Sequence, residues 1–314
     1  MLLQVPLPTY TGFPSIPYTN AGEIQNKGFE IDVAYQGKAG NFTYSMSANA
    51  SHFINKAVSL GTGNKPIVYN DAGTQLNINR TEVGRSVGEF YGYVTDGIFQ
   101  NMAQVQSYNK NGTLIQPNAL PGDFRFKDLN GDGVINADDQ TWIGNPLPKL
   151  LYGYNLNIGY KNFDLAALFQ GSYGNDLVNL NKKYRRTLNG SGFGADLVAY
   201  EAAWRGEGTS NTQPIISTVN KNDNFRVSDW YVEDGSYLRL KNLQIGYNIS
   251  PSWLKRAGIS SSRIWIGGTD LFTITKYTGN DPEAGLSANP IMGGREFSAY
   301  PKMKRYSLGI NLTL

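Results

Sequence analysis

The sequence predicts an all-β protein whose antiparallel strands form a segment of a transmembrane β-barrel. Several segments alternate apolar and polar residues with period two, which is typical of strands whose two faces meet different surroundings. No run of about 18 apolar residues occurs, which excludes a transmembrane helix. The connections between the alternating segments are short and long in turn, as in outer-membrane barrels.

The composition agrees with strands that are apolar on one face only. Hydrophobic residues make up 40% of the 314 residues, and the mean hydropathy is −0.38. Such averages are expected of barrel strands, because alternate side chains face lipid and lumen. Cysteine is absent, which excludes a disulfide framework and a thiolate metal site. The net charge of +3 is small and the basic residues are scattered, so nucleic acid is not an expected partner.

The first predicted hairpin lies near the N-terminus. Its strands cover 29–36 and 42–49, and a short turn at 37–41 joins them. The apolar series of the first strand is Phe29, Ile31, Val33 and Tyr35, which alternates with Glu30, Asp32, Ala34 and Gln36. The same period recurs in the second strand and predicts a hairpin with two distinct faces.

Further strands follow at intervals and bring the expected total to about seven or eight. Residues 152–160 alternate, a tight turn at Lys161–Asn162 follows, and 163–169 return. Residues 243–249 alternate in a phase opposite to that of Leu238 and Leu240 upstream. A β-bulge near Lys241–Asn242 reconciles the two phases. The last two predicted strands are 263–275 and 306–314.

The lengths of the connections predict which end of each strand faces which compartment. The segments 50–150, 174–235 and 277–301 are long, and we expect them to be extracellular loops. The turn at 37–41 is then periplasmic, and the same parity places the C-terminus in the periplasm. Tyrosines near strand ends fit an interfacial girdle; they are Tyr35, Tyr152, Tyr160, Tyr247 and Tyr306. A soluble β-sandwich is the alternative, but connections this long are uncommon in compact domains.

One motif in the first long connection predicts calcium binding. Residues 128–139 match the spacing D-x-[DN]-x-[DN]-G of a calcium loop, with Gly133 at the sharp turn. The expected ligands are oxygens of Asp128, Asn130, Asp132, Val134 (backbone), Asn136 and Asp139. Strand-like residues flank the motif, so we expect a Ca²⁺ that staples the loop rather than a signalling EF-hand. The alternative is a polar turn that binds no ion.

The sequence offers no catalytic constellation, and we predict that the protein is not an enzyme. His52 is the only histidine, no G-x-S-x-G element occurs, and no carboxylate pair has a readable spacing. Aromatic residues of the long connections either stack on sugars or partner surfaces or pack the connections together. These aromatic residues are Tyr91, Tyr93, Phe99, Trp142, Tyr184, Trp204, Trp230 and Tyr231.

Ordered motifs along the chain carry a resemblance to a known family. The runs are 20–30 (NAGEIQNKGFE), 84–93, 96–99, 121–128, 143–148, 160–165, 233–243 (EDGSYLRLKNL), 277–283 (YTGNDPE) and 300–301. With these runs the chain resembles the C-terminal portion of SusC/RagA-type TonB-dependent transporters. It departs from the family at Asp270, where Asn is usual, and at Leu314, where barrels usually end in an aromatic residue.

The resemblance implies a larger protein than these residues. Such transporters have a barrel of 22 strands, an N-terminal plug, a TonB box that contacts the TonB complex, and a SusD-like surface lipoprotein as a lid. They import oligosaccharides or peptides. Residues 1–314 are then all barrel, with the plug outside this sequence and no signal peptide at the N-terminus. Polar residues are candidates to line the lumen, namely Glu30, Asp32, Asn155, Asn157 and Gln244, while substrate-binding residues stay unassigned. A soluble, calcium-stabilised carbohydrate-binding or adhesin module is the alternative function.

Overall fold

The computed structural model describes residues 2–4, 18–20, 22–61, 63–69, 76–187, 194–219, 221–249, 254, 258–285 and 289–313. Its dominant element is an antiparallel sheet of seven strands, called here the main sheet. The strands are β1 (Gly22–Ala39), β2 (Phe42–Leu60), β3 (Leu150–Tyr160), β4 (Phe163–Tyr173), β5 (Tyr237–Ile249), β6 (Ser261–Thr275) and β7 (Arg305–Thr313). Each strand pairs with its neighbour in sequence, so the sheet is a meander from β1 to β7.

The remaining elements are short. Strand Leu2–Gln4 pairs with Tyr18–Asn20 in a separate sheet, so it does not extend the main sheet. The other short strands are Ile67–Val68, Asn79–Thr81, Glu89–Gly92, Thr95–Ile98, Asn109–Lys110, Thr113–Leu114, Phe124–Phe126, Thr141–Gly144, Asp176–Asn179, Val232–Asp234 and Arg295–Glu296. The helices whose bounds lie within the described residues are α1 (Met102–Ser107), α2 (Asn181–Arg185) and α3 (Leu197–Ala202), with 3₁₀ turns at Ala137–Asp139, Asp229–Tyr231 and Pro290–Met292.

Within the described residues, none of the helices has the length and apolar character needed to cross a membrane.

The main sheet has one apolar face, as the alternation predicted. Residues directly opposite each other in a ladder lie on the same face, and Val33 faces Ala48, which faces Tyr154. The apolar side chains of this face are open to the surroundings: Val33 is 60% exposed in β1 and Leu308 is 74% exposed in β7. All five tyrosines proposed for a girdle belong to this face, namely Tyr35, Tyr152, Tyr160, Tyr247 and Tyr306.

The other face of the main sheet is polar. Asp32 faces Asn49, and the same ladders carry this face across the sheet to β5. The residues proposed to line a lumen all share it: Glu30, Asp32, Asn155, Asn157 and Gln244. The two faces therefore differ in the way that lipid on one side and a polar interior on the other require.

The strand boundaries sharpen the predicted hairpins. The first turn contains only Gly40 and Asn41, and β2 continues through Leu60, beyond the predicted end of the strand at 49. The extra length of β2 is stabilised by packing, because Ala57 and Leu60 are buried in a small apolar cluster. The turn at Lys161–Asn162 is present as predicted.

The predicted bulge in β5 is confirmed. Leu168 pairs with Asn242, whereas Phe169 pairs with Leu240, so Lys241 has no partner in β4. On the other side of β5 the register also shifts at Lys241, opposite Asp270. Asp270 adopts φ of +52°, a left-handed conformation that Asn tolerates well among non-glycine residues. This conformation is a physical reason for the Asn that the family resemblance implies at this position.

The described residues of the long connections fold together into one unit, called here the loop cap (the described residues of 61–149, 174–236 and 276–304). Its largest core joins Leu76, Ile78 and Phe90 of the first connection to Val178, Leu180 and Tyr231 of the second. The third connection adds a strand, since Arg295–Glu296 pairs in parallel with Val178–Asn179. The loop cap thus has an apolar interior of its own at one end of the main sheet.

Candidate functional site

The predicted calcium loop, residues 128–139, lies in the loop cap between a strand and a 3₁₀ turn. The strand Phe124–Phe126 is anchored by two buried phenylalanines, and Ala137–Asp139 forms the 3₁₀ turn. The Asp128 carboxylate lies at the start of the loop and accepts backbone N–H groups of Gly131 at 2.7 Å and Gly133 at 2.8 Å. Gly133 has φ of +94°, which matches its predicted role at the sharp turn.

Three of the predicted ligands contact each other. The amide Nδ2 atoms of Asn130 and Asn136 lie 3.0 Å and 3.3 Å from Oδ2 of Asp132. The Asp132 carboxylate also accepts the Val134 backbone N–H at 2.8 Å. That backbone hydrogen bond, together with those from the two asparagines, lowers the pKa of Asp132. The Asp132 carboxylate is therefore held in its charged form.

Asp139, at the last position of the motif, closes the loop. Its side chain is fully buried, and its two oxygens accept the backbone N–H groups of Leu129 and Asn136, each at 2.8 Å. Asn136 and Asp139 also form a reciprocal capping box. The structure thus brings Asn130, Asp132 and Asn136 together, and it uses Asp128 and Asp139 to hold the backbone.

The donor chemistry of this loop fits a hard cation. Among the described residues, no three His, Cys, Asp or Glu side chains converge in a metal-holding arrangement. A cation here would therefore depend on amide and backbone oxygens as well as on Asp128 and Asp132. Oxygen donors of this mixed kind are the ones that calcium prefers.

A second constellation, which the sequence did not predict, links the main sheet to the loop cap. Arg239 on the polar face of β5 is only 3% exposed. Its guanidinium contacts Asp281 at 2.7 Å and Glu283 at 2.6 Å, both in the third connection. Lys241, the bulge residue, contacts Glu283 at 2.8 Å, and Lys302 completes the cluster. We call Arg239, Lys241, Asp281, Glu283 and Lys302 the anchor cluster.

Glu283 is the centre of the anchor cluster. The Tyr237 hydroxyl donates to it at 2.9 Å, in addition to the three cationic partners. Burial disfavours the charged carboxylate, but hydrogen bonds from Lys241, Lys302 and Tyr237 and the charge of Arg239 outweigh burial. They lower the pKa of Glu283 to about 2. The carboxylate stays ionised at neutral pH and holds the third connection against β5.

The anchor cluster joins two of the motif runs that carry the family resemblance. The run 233–243 supplies Arg239 and Lys241, and the run 277–283 supplies Asp281 and Glu283. Their partners lie 42 to 44 residues apart, so no periodicity reveals the contact. The sequence shows only that each motif contains charged residues. It does not show that the charged residues of one motif pair with those of the other.

A further buried pair ties the second connection to the third. Lys182 contacts Glu233 at 2.8 Å, and Glu233 also accepts the Thr278 backbone N–H at 2.7 Å. Burial raises the pKa of Glu233, but the charge of Lys182 and these hydrogen bonds outweigh burial and lower it overall. The pair adds a second fixed joint within the loop cap.

The aromatic residues of the long connections mostly pack the loop cap. Phe99 and Tyr231 are completely buried, which excludes them as exposed stacking platforms. Trp230 lies against Phe124 and Tyr231, with ring centroids 5.3 Å and 5.1 Å away. Tyr91 and Trp142 make an edge-to-face pair at 5.0 Å, and Arg85 lies 4.1 Å above the Trp142 ring. Packing, the plainer of the two interpretations, accounts for these rings.

Comparison with known proteins identifies similar proteins along the whole chain. The chain is 32% identical over 321 residues to TonB-dependent receptor P3 of Formosa agariphila, an alignment that covers 99% of this chain and 31% of that protein. It is 26% identical over 323 residues to TonB-dependent receptor SusC of Bacteroides thetaiotaomicron, covering 99% of this chain and 28% of SusC. No family model matches the chain.

A solved structure has the same fold. The structure of the RagAB peptide transporter superposes with a TM-score of 0.76 and 25% sequence identity, covering 99% of this chain and 31% of that chain. The present chain therefore spans about a third of the length of the proteins that it matches.

Proposed function

Because the chain belongs to the SusC/RagA type of TonB-dependent receptors, we propose that it forms part of an outer-membrane importer of oligosaccharides or peptides. The observation that carries the proposal is the main sheet, with one exposed apolar face and one polar face. An apolar face of this kind fits lipid, and the polar face fits the interior of a barrel. Transport, rather than catalysis, is the activity proposed.

The connections support a proposed orientation of the chain in the membrane. The two-residue turns at 40–41 and 161–162 lie at one end of the main sheet, and the loop cap lies at the other. We place the turns and the end of β7 in the periplasm and the loop cap outside the cell, since outer-membrane barrels keep their long loops outside.

Two partners belong to this proposal. A SusD-like lipoprotein covers the loop cap, and the TonB complex acts through a plug and TonB box in an N-terminal part of the receptor. The ion pair within the loop cap and the one that fixes the cap to β5 support the first partner, because a pre-organised surface loses less entropy on binding.

The calcium loop has a structural role in the proposal. A Ca²⁺ held by Asp128, Asn130, Asp132, the Val134 carbonyl, Asn136 and Asp139 staples the outer end of the first connection. The clustering of Asn130 and Asn136 around Asp132 supports such a site, in which each amide turns its Oδ1 instead of its Nδ2 toward the cation.

The import function is tested by cell fractionation and by analysis of spent medium. We expect the receptor to require detergent for extraction from the outer membrane. A deletion strain and a strain without TonB should leave the same oligosaccharides or peptides unconsumed in a complex digest, as measured by mass spectrometry. Extraction by high salt alone would favour the soluble adhesin instead, and full consumption by the deletion strain would refute import.

The calcium role is tested by titration of the detergent-purified receptor. Asp128→Ala combined with Asp132→Ala should abolish the heat of calcium binding and weaken retention of the lipoprotein. Asp138→Ala is the matched control, because Asp138 is an exposed neighbour outside the proposed ligand set. Absence of heat from the unaltered receptor up to about 10 mM calcium would disprove the site.

A further inference from the structure

A cavity of about 710 Å³ lies between the polar face of the main sheet and the loop cap. Asn26, Leu151 and Gln170 form its wall on the sheet, and Pro148 and Pro282 form its wall on the loop cap. Its volume falls within the range of about 300–1,000 Å³ that is usual for pockets that bind small ligands. Asn26, Leu151 and Gln170 lie on the face that we assign to the lumen.

The walls of the cavity are held by contacts that do not depend on a ligand. The Asn55 side chain donates to Asn26 at 2.7 Å and accepts the Val87 backbone N–H at 2.8 Å, which joins β1, β2 and the first connection. The anchor cluster fixes the third connection against β5. A pre-formed cavity of this kind loses little free energy to ordering when it binds.

The cavity presents no unpaired charge. Glu283 is the one charged side chain among the described residues that line it, and it is paired with Arg239, Lys241 and Lys302. Asp281 and Asp270 pair with Arg239 and Lys241 in turn, so three cations face three carboxylates and the charges balance. A charged ligand group would lose its hydration here without gaining a partner, which is costly. The cavity therefore suits an uncharged ligand.

Two amides in the wall keep unused hydrogen-bonding capacity. The exposed Gln170 side chain has no hydrogen-bond partner among the described residues, and the Nδ2 group of Asn26 likewise donates to none of them. The rest of the lining is mainly aliphatic side chains and prolines. Tyr237 is the one aromatic ring of the lining, and it is only 8% exposed, which leaves no flat platform for a sugar ring.

We propose that this cavity is a cargo subsite that binds an uncharged peptide segment. An aliphatic side chain of the peptide packs against Leu151 and the prolines. The backbone amides of the peptide form hydrogen bonds with the side chains of Gln170 and Asn26. The inference rests on the proposed import function and narrows it to a site and a ligand chemistry.

The test uses the receptor purified in detergent and a blocked, uncharged tetrapeptide of leucine and alanine, with binding measured by calorimetry. Leu151→Trp fills the cavity and should weaken binding about ten-fold or more, and Gln170→Ala about three-fold, in line with the loss of one hydrogen bond. The same peptide with glutamate in place of one leucine should bind more weakly.

Gln36→Ala is the matched control, because Gln36 is an exposed amide on the same face near the short turns. It should bind the peptide as the unaltered receptor does. Circular dichroism and heat-modified migration confirm that each variant is folded.

The subsite is refuted if the uncharged peptide fails to bind the unaltered receptor, if Leu151→Trp binds it equally well, or if maltohexaose displaces it. These results are separable from failure of import itself. Medium analysis with the deletion strain would still show TonB-dependent uptake when only the subsite is wrong.

Discussion

The main sheet and the loop cap place their apolar side chains in opposite directions. In the sheet, Ile31 and Val33 stand more than half exposed, and neighbouring polar residues gather on the other face. In the cap, Phe90 and Phe99 have no exposed surface at all. Apolar side chains are thus buried by protein in one region and left for lipid in the other. The exposure of an apolar side chain therefore has to be judged against the solvent of its own region.

The largest effect is expected in the interior of the loop cap. Phe90→Ala should lower the free energy of unfolding of the cap by about 3–5 kcal/mol, because it leaves a cavity in the largest core. Urea unfolding followed by tryptophan fluorescence measures the loss. Met102→Ala is the control, as Met102 is 46% exposed on α1 and should change stability by only about 0.5 kcal/mol. Equal losses for both variants would mean that the cap lacks a core of its own.

A charge on the apolar face should lower the free energy of unfolding by less than Phe90→Ala does. The same charge placed on either face should nevertheless distinguish the apolar face from the polar one. Val33→Arg is expected to destabilise the receptor in liposomes by about 2–4 kcal/mol, since the guanidinium enters hydrocarbon. Ala34→Arg, one residue along β1 and on the polar face, is the matched control and should have little effect. Similar unfolding curves for the two variants would contradict the assignment of faces.

The anchor cluster makes the joint between the two regions sensitive to acid. The pKa of Glu283 is lowered from 4.5 to about 2, so its ionised form stabilises the folded state. This contribution is complete above pH 4.5 and is lost as the pH falls towards 2. Between pH 4.5 and 2, the unaltered receptor should therefore lose protection against hydrogen exchange in the third connection, relative to the Glu283→Gln variant. Above pH 4.5, the variant should be the less protected of the two proteins. Parallel pH profiles for the two proteins would show that Glu283 does not hold the connection.

The smallest effect concerns a turn of the main sheet. Lys161 has φ of +53°, a conformation that costs most residues about 1–2 kcal/mol and glycine almost nothing. After the extra chain entropy of glycine is subtracted, Lys161→Gly should stabilise the sheet by about 0.5 kcal/mol. Lys38→Gly, within β1, should instead destabilise it, and thermal unfolding in detergent compares the two. Loss of stability in both variants would argue against strain at Lys161.

Prediction from sequence succeeded where the physics is local. The alternation at 29–36 and 152–160 identified strands and faces, and the phase change at Lys241 identified the bulge. Calcium binding by residues 128–139 stays a prediction, since the fold alone does not test whether the loop binds an ion. The core of the loop cap and the anchor cluster were missed, because Phe90 with Tyr231 and Arg239 with Glu283 meet only after distant segments pack.

The folded state of the first connection has a kinetic consequence. Pairing β2 with β3 closes a loop that runs from Leu60 to Leu150, whereas β1 and β2 meet across two residues. A flexible loop of that length carries about 3 kcal/mol more closure entropy than a tight turn. A connection that has already folded around its own buried phenylalanines, Phe90 and Phe99, has less of this entropy left to lose when β2 and β3 pair. We therefore expect the hairpins β1–β2 and β3–β4 to form independently of each other. The folding of the loop cap should then set the rate at which β2 pairs with β3.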